Sequence, residues 1–387
     1  MEFRSWFATC PRGAEQALGT ELAAAGAKGI RPGSGGVRFT GRRETALRAC
    51  LTLRTALRLL EPLGDFDCPN AEALYAGVRA LPWPDRIEVT QTFAVTATGV
   101  TPELSHTHFT ALKIKDAIVD SIRDAKGSRP DINTERPDVL VVAHLGKGRC
   151  SISLDLAGDL LSNRGYRVQT VEAPLREALA AAILIYSGWD LQRPLLDPTC
   201  GSGTIAIEAA LLAADRAPNA KRPLACENWT VTSEADRQSL RQLREELETR
   251  AHARSQQGIP QIVASDRDAD AVNATKACVR AAGLEDLIRV EQRDAREMLP
   301  LSPPGQIVSN PPYGERLDLG GRKQLKSFFH AFGSSLRRLQ GHRAAILAGS
   351  EDFESAFGMR PRARRELWNG PLACILYSYE VWGAPIG

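Results

Sequence analysis

Leu195-Leu196-Asp197-Pro198-Thr199-Cys200-Gly201-Ser202-Gly203-Thr204 runs from an apolar strand, through a loop of small residues, into an alanine-rich helix. Ile307-Val308-Ser309-Asn310-Pro311-Pro312-Tyr313-Gly314 repeats the arrangement about a hundred residues later, with a rigid proline-bearing loop. In an open parallel sheet, ligands sit outside the carboxyl ends of the strands. If both strands belong to one sheet, both loops open onto the same rim. One loop then suits a cofactor, and the other a flat, amino-bearing substrate.

The first loop lets a backbone approach a ligand closely, because Gly201 and Gly203 carry no side chain and precede a helix N-terminus. It lacks the full G-x-G-x-x-G spacing of a dinucleotide site. Asp197 stands just before the turn instead, and an acid there suits an amino-acid ammonium better than a pyrophosphate. Pro198, Thr199, Cys200, Ser202 and Thr204 complete this candidate cofactor loop, whose plainer reading is a tight packing turn. Asp266, followed by Arg267, ends the strand Ile262-Val263-Ala264-Ser265. An acid in that place can accept both hydroxyls of a ribose, or simply cap a helix. Asp294, after the next strand, can accept an adenine amino group or serve as a loop cap.

Asn310-Pro311-Pro312-Tyr313 is the sharper signal. An exocyclic amine on a ring is a poor nucleophile, because its lone pair is delocalised. Two acceptors holding its two N–H bonds turn that lone pair toward an electrophile. The Asn310 side-chain oxygen and the Pro311 carbonyl can be those acceptors, with Pro312 fixing the turn and Tyr313 offering a face for a base to stack on. Asn310 would then touch substrate and cofactor alike. The alternative is a proline turn that merely ends a strand.

The rest of the chain is read outward from these loops. From residue 173 to 387, strands and helices alternate, which makes a mostly parallel sheet with helices on both faces. Five strands (194–197, 261–265, 287–291, 306–309, 344–347) and an antiparallel terminal pair bring that sheet to seven. A helix over 174–189 leads in, and an insertion over 213–258 carries a charged helix from Glu234 to Arg254. Residues 1–60 read as a strand-helix-strand-helix unit of ferredoxin-like form, its second helix running from Arg43 to Leu60. Pro62 to Pro84 is looser. A second α/β unit, over 61–158, holds a helix from Thr107 to Arg123. Phe109, Leu112, Ile114, Ile118 and Ile122 should face inward there, with Lys113 and Lys115 toward solvent. Residues 159–172 form a connector whose basic core is Asn163-Arg164-Gly165-Tyr166-Arg167.

The 387 residues imply two or three domains. With 43% hydrophobic and 25% charged residues, the composition is globular. No apolar run reaches membrane-spanning length, and Met1-Glu2-Phe3-Arg4 lacks the form of a signal peptide, so a cytoplasmic protein is expected. The eight cysteines show neither C-x-x-C pairs nor zinc spacing. They are expected to be reduced thiols, with no metal centre. His106 and His108 lack a third ligand, and Cys200 reads as a packing residue. A net charge of +3 permits a nucleic-acid partner without requiring one.

These motifs resemble a known family. Asp197-Pro198-x-Cys200-Gly201-Ser202-Gly203-Thr204, Ser265-Asp266 and Ser309-Asn310-Pro311-Pro312-Tyr313-Gly314-Glu315-Arg316-Leu317 are similar to class I S-adenosylmethionine-dependent RNA guanine-N2 methyltransferases, those of bacterial large-subunit ribosomal RNA above all. Phe109-x-x-x-Lys113-x-Lys115-Asp116-Ala117-Ile118-Val119-Asp120 and Arg136-Pro137-Asp138 resemble a THUMP domain, a module associated with RNA binding. Leu161-x-x-Arg164-Gly165-Tyr166-Arg167 and Cys226-Glu227-Asn228-Trp229 match the family's connector and insertion. The fold implied is α/β, a Rossmann-like class I methyltransferase domain preceded by ferredoxin-like and THUMP units. The activity implied is methyl transfer from S-adenosylmethionine to a guanine N2 in 23S rRNA, or in tRNA. Lys113, Lys115, Arg164 and Arg167 would grip RNA phosphate. The rival readings are a protein glutamine methyltransferase, which shares Asn-Pro-Pro-Tyr, and an RNA-binding assembly factor without turnover. No exposed apolar helix stands out as an interface, so a monomer is expected.

Overall fold

The computed structural model describes residues 3–170, 174–312 and 321–382. Two sheets organise them. The first has eight strands: β1 (Arg4–Thr9), β2 (Lys28–Gly33), β3 (Gly36–Gly41), β4 (Arg58–Asp67), β5 (Thr92–Thr98), β6 (Asp131–Ile132), β7 (Val139–Gly146) and β8 (Arg149–Asp155). Their order across the sheet is β2-β3-β1-β4-β8-β7-β5-β6. Helices α1 (Glu15–Ala24), α2 (Arg43–Thr52), α3 (Ala71–Arg79) and α4 (Thr107–Lys126) accompany this sheet.

The strand β4 corrects the expected helix over 43–60. The helix α2 stops at Thr52, and Leu53 is already extended. From Arg58 the chain pairs antiparallel with β1 on one edge (Ala8 opposite Leu59) and with β8 on the other (Leu60 opposite Asp155). The pairing that makes it a strand is tertiary, and neither glycine nor proline marks the helix end. The register shifts between Pro62 and Gly64, where proline has no N–H to give a ladder. The two N-terminal units are therefore halves of one sheet, and the stretch expected to be loose contains β4 and α3.

The helix α4 also departs from expectation. Ile114, Ile118 and Ile122 are fully buried, but Phe109 is 51% exposed and Leu112 42% exposed. The buried stripe continues through Thr110 and Ala117, and at helical spacing Phe109, Leu112 and Asp116 fall on the opposite side.

The second sheet has seven strands, as expected: β9 (Leu195–Asp197), β10 (Ile262–Asp266), β11 (Ile288–Gln292), β12 (Gln306–Ser309), β13 (Arg343–Ala348), β14 (Ala363–Asn369) and β15 (Leu372–Glu380). The order is β11-β10-β9-β12-β13-β15-β14; the first five are parallel, and β15 and β14 are antiparallel. Helices α5 (Glu177–Tyr186), α6 (Thr204–Ala213), α8 (Ala269–Ala281), α9 (Arg322–Arg337) and α10 (Phe353–Phe357) flank it. Between α6 and α8 lies α7 (Glu234–Gln256), the charged helix of the insertion. Its buried Leu240, Leu243 and Leu247 join the core of the first sheet, so the insertion reaches back to cover α2. Arg48 of α2 holds Glu246 through two bonds of 2.9 and 2.8 Å.

All eight cysteines are buried, and none is in a disulfide. No helix among the described residues is long and apolar enough to cross a membrane.

Candidate active site

The order of the second sheet reverses at β9, because β10 lies on one side of it and β12 on the other. A crevice opens at such a switch point, beyond the strands' carboxyl ends. The loop 198–203 leaves β9 there, and Asn310 leaves β12. The two loops are joined directly: the Thr199 and Ser309 hydroxyls are 2.7 Å apart, and Ser309 is fully buried.

The first loop is held from every side. Cys200 N–H donates to the Ser265 carbonyl at 3.0 Å, and Gly203 N–H to the Cys200 carbonyl at 2.7 Å. Gly201 N–H donates to Asp266 Oδ2 at 3.0 Å, while Asp268 N–H donates to Asp266 Oδ1 at 3.1 Å. Thr275 of α8 donates its hydroxyl to the Gly201 carbonyl at 2.8 Å and lies 3.3 Å from the Cys200 sulfur. Gly203 sits at φ +81° as the N-cap of α6, and a Cβ there would come within 2.8 Å of Thr275 Cγ2. Pro198 is buried beneath the turn. Burial pushes the Cys200 thiol well above its ordinary value, which suits a packing residue.

Asp197 is 1% exposed, and its carboxylate accepts Thr199 N–H at 3.3 Å. Burial pushes it well above the ordinary carboxylate range and Asp266 adds to the shift, against the Thr199 N–H. Asp266 is raised by burial too, against its two backbone donors. Two neighbouring acids in a low-dielectric pocket favour a cation between or beside them.

Arg267 is exposed, and its carbonyl accepts from Gln292 Nε2 at 3.0 Å. Asp294 caps a short helical turn by accepting Arg296 N–H at 2.8 Å, and it also holds that guanidinium at 2.6 Å. The guanidinium keeps its carboxyl below the ordinary range, so it is ionised and partly engaged.

On the second loop, Pro311 is buried and Pro312 half-buried. Among the described residues, the Asn310 side-chain oxygen is buried and has no hydrogen-bond partner. A buried carbonyl oxygen without a donor is costly, and a ligand N–H would satisfy it. Tyr313, with Gly314 to Leu317, lies outside the described residues.

The four basic residues expected to grip RNA divide. Lys113 is half-buried with its ammonium 5.0 Å from the Tyr75 ring, and Lys115 pairs with Asp116 at 2.9 Å. Both retain contact with solvent. Arg164 does not: its side chain is 2% exposed, and it donates to the carbonyls of Leu161 and Arg54 and approaches Glu208. Arg167 is likewise engaged inside. It donates to Glu177 Oε1 at 2.8 and 2.9 Å, to the Leu175 carbonyl at 2.9 Å, to Ser202 Oγ at 3.0 Å and to Thr204 Oγ1 at 3.1 Å. The expectation for these two arginines is corrected: both brace the connector against the methyl-transfer domain, and neither offers its charge to an outside phosphate. Sequence reading also missed Thr275 and Glu177. Thr275 sits in no local motif, and its partners Cys200 and Gly201 lie 75 and 74 residues away. Glu177 lies in the stretch Ala173-Pro174-Leu175-Arg176-Glu177, which resembles the family's leading helix, but residue type alone does not pair it with Arg167 ten residues before.

The chain matches three families in succession: the ferredoxin-like domain of RlmL over residues 5–60, the THUMP domain over 68–155, and the RMKL-like methyltransferase domain over 164–378. It is 41% identical to the ribosomal RNA large subunit methyltransferase K/L of Magnetococcus marinus, over 97% of this chain and 53% of that protein. It is 38% identical to the protein of the same name from Syntrophotalea carbinolica, with the same coverage. The chain thus spans about half the length of the curated relatives it matches. Among solved structures, it is similar to SMU.472, described as a methyltransferase and complexed with SAH, at 30% identity and a TM-score of 0.87 over the whole of both chains.

Proposed function

Because this chain belongs to the RMKL-like methyltransferase family, we propose that it transfers a methyl group from S-adenosylmethionine to the exocyclic N2 amine of a guanine in RNA, with 23S rRNA as the substrate. The observation that carries the reading is the buried oxygen of Asn310, without a partner among the described residues, on the rim it shares with the Asp197 loop. That oxygen and the Pro311 carbonyl accept the two N–H bonds of the amine and aim its lone pair across the crevice. Tyr313 provides the stacking face and Pro312 stiffens the turn.

The donor set fits the cofactor. Asp197 meets the amino-acid ammonium, Asp266 the ribose hydroxyls, and Asp294 keeps an acceptor position for the adenine amine. Pro198, Thr199, Cys200, Ser202 and Thr204 shape the loop, Gly201 and Gly203 admit the ligand to the backbone, and Arg267 stands at the ribose end. When bound, the cofactor supplies a sulfonium methyl, an electrophile attacked in line. What the protein adds is position, and the amine's proton leaves to solvent after attack.

Residues 1–60 and 61–158 serve as the RNA-binding part, 159–172 as the connector, and 173–387 as the methyl-transfer domain. Lys113 and Lys115 contribute to phosphate binding, and the guanine leaves its stack to reach Asn310. The protein works as a cytoplasmic monomer.

The test uses methyl-labelled S-adenosylmethionine with 23S rRNA, 16S rRNA and tRNA, each from cells lacking the gene, digested to nucleosides. Label in N2-methylguanosine from 23S rRNA is expected. The same nucleoside from tRNA moves the substrate, and label in another nucleoside moves the amine. No label in any RNA ends the reading.

A further inference from the structure

A cleft of about 600 Å³ opens where the ferredoxin-like unit, the THUMP domain and the α7 insertion meet. That volume lies in the roughly 300–1,000 Å³ range of ligand sites. Nothing in the proposed methyl transfer uses it. Four arginines line it: Arg4, Arg42, Arg43 and Arg86.

Four carboxylates stand among them, Glu61 beneath the floor and Asp236, Glu44 and Asp85 in the lining, but they are unevenly shared. Glu61 is buried, and its single carboxylate serves Arg86 at 3.1 Å, Arg43 at 3.4 Å and Arg4 at 3.6 Å. Asp236 lies 3.6 Å from Arg43 but accepts the Ser233 N–H and hydroxyl at the start of α7. The Arg43 Nε, the atom that faces Asp236, has no hydrogen-bond partner among the described residues, while Nη2 donates to Thr232 Oγ1 at 2.9 Å. Arg42 has no carboxylate within ion-pair reach among the described residues, and its guanidinium lies 5.7 Å from the Phe3 ring. The first turn of α2 lines the cleft, and that helix begins without a side-chain cap. An uncapped helix N-terminus attracts an anion, a pull that Glu44 in the same first turn partly offsets.

The rim adds selectivity. Glu44 and Asp85 are exposed there, and they repel a continuous backbone while accepting from the amino edge of a base. Val231 lines the same rim at 40% exposure and Phe3 is 57% exposed beside Arg42, so apolar surface is available for a base to rest on. A phosphate with its own unstacked base satisfies all three features.

We propose that this cleft is a second RNA-binding site, taking an unpaired nucleotide of the substrate away from the methylated guanine, with Arg4 and Arg42 on its phosphate and α7 closing the wall. The proposal rests on the RNA reading above. It gives the insertion a purpose, since α7 completes a binding site that the first two units only begin.

The test compares the affinity of 23S rRNA for the wild type, the double variant Arg4→Glu/Arg42→Glu, the plugging variant Ser239→Trp and a control, Arg280→Glu, at an exposed site elsewhere. Calorimetry with S-adenosylmethionine reports whether each is folded. Both cleft variants should bind RNA about tenfold or more weakly, and the double variant should flatten the log–log salt dependence by about 0.7 for each single-strand phosphate it no longer neutralises. Cofactor affinity should not move. RNA affinity equal to the Arg280→Glu control, in a wild type that methylates RNA, overturns this proposal alone. A wild type that methylates no RNA removes the reading beneath it and the proposal together.

Discussion

The hydroxyl of Thr199 lies 2.7 Å from the hydroxyl of Ser309, and this one bond ties the loop after β9 to the loop after β12. The partners are 110 residues apart in sequence; Thr199 follows β9, and Ser309 ends the adjacent parallel strand β12. Cutting it with Thr199→Val leaves the loop after β9 anchored by its backbone bonds but free to drift relative to Asn310. The expected loss is in kcat, about tenfold to a hundredfold for a misplacement near 1 Å, with S-adenosylmethionine affinity little changed. Equal losses in kcat and cofactor affinity would contradict the bridging role.

Asn310→Ala removes the acceptor that has no other partner. Methylation should slow by about 10²–10³-fold, the scale of losing one preorganised hydrogen bond to the reacting group. Cofactor binding, read by calorimetry, should stay within a few-fold. Because the wild-type oxygen is buried and has no partner among the described residues, the variant should be no less stable than wild type in a thermal melt.

Asp197→Asn should separate stability from function. The folded-state carboxyl is raised well above its ordinary value by burial, so the unfolded chain gives up its proton at lower pH than the native one. Stability from this group is intact at acid pH and is lost as pH rises through the raised value. The asparagine has no such loss. The cofactor-free variant should therefore melt higher than wild type, by a margin that widens as pH climbs above the ordinary carboxylate range. Its affinity for S-adenosylmethionine should collapse, since the ammonium loses its counter-charge.

Arg167→Met tests a brace against a phosphate ligand. The guanidinium joins Glu177 to Ser202 and Thr204, and removing it strands a carboxylate that is almost wholly buried, at a cost of about 3 kcal/mol. Cofactor affinity should fall because the glycine loop loses its support. RNA affinity and its salt dependence should stay as in wild type; a flattened salt slope would return Arg167 to the RNA-contacting residues.

Gly203→Ala meets two obstacles. The backbone is at φ +81°, and the new methyl would lie 2.8 Å from Thr275 Cγ2. The expected cost is about 1–3 kcal/mol. Pairing it with Thr275→Ser removes the Cγ2 contact but leaves the hydroxyl at 3.2 Å and the dihedral strain, so the double variant should recover only part of the lost melting temperature.

The second sheet is legible in the sequence because its signals are local. Short apolar runs end in Asp197, Asp266 and Ser309, each followed by a turn and a helix or by prolines. The glycine loop and Asn310 announce themselves by residue type. What stays hidden depends on distant partners. β4 is a strand because β1 and β8 pair with it, and nothing between Thr52 and Arg58 stops a helix. Arg164 and Arg167 look like phosphate ligands in sequence, yet their acceptors in α6 and the glycine loop are 44, 35 and 37 residues away. Residue type alone would put Phe109 in the core, but helical phase places it one residue off the stripe of Thr110, Ile114 and Ile118 and so outside.

The ten-residue strand β4 also bears on how this architecture can be taken apart. It pairs with the ferredoxin-like unit through its first residues and with the THUMP domain along nearly its whole length. A gene fragment cut at residue 60 would expose a raw sheet edge on both products, an invitation to aggregate. The two units thus share one continuous sheet and are expected to fold as a pair. In single-molecule pulling they should give way in one step, and any shuffling of this half among enzymes has to carry both.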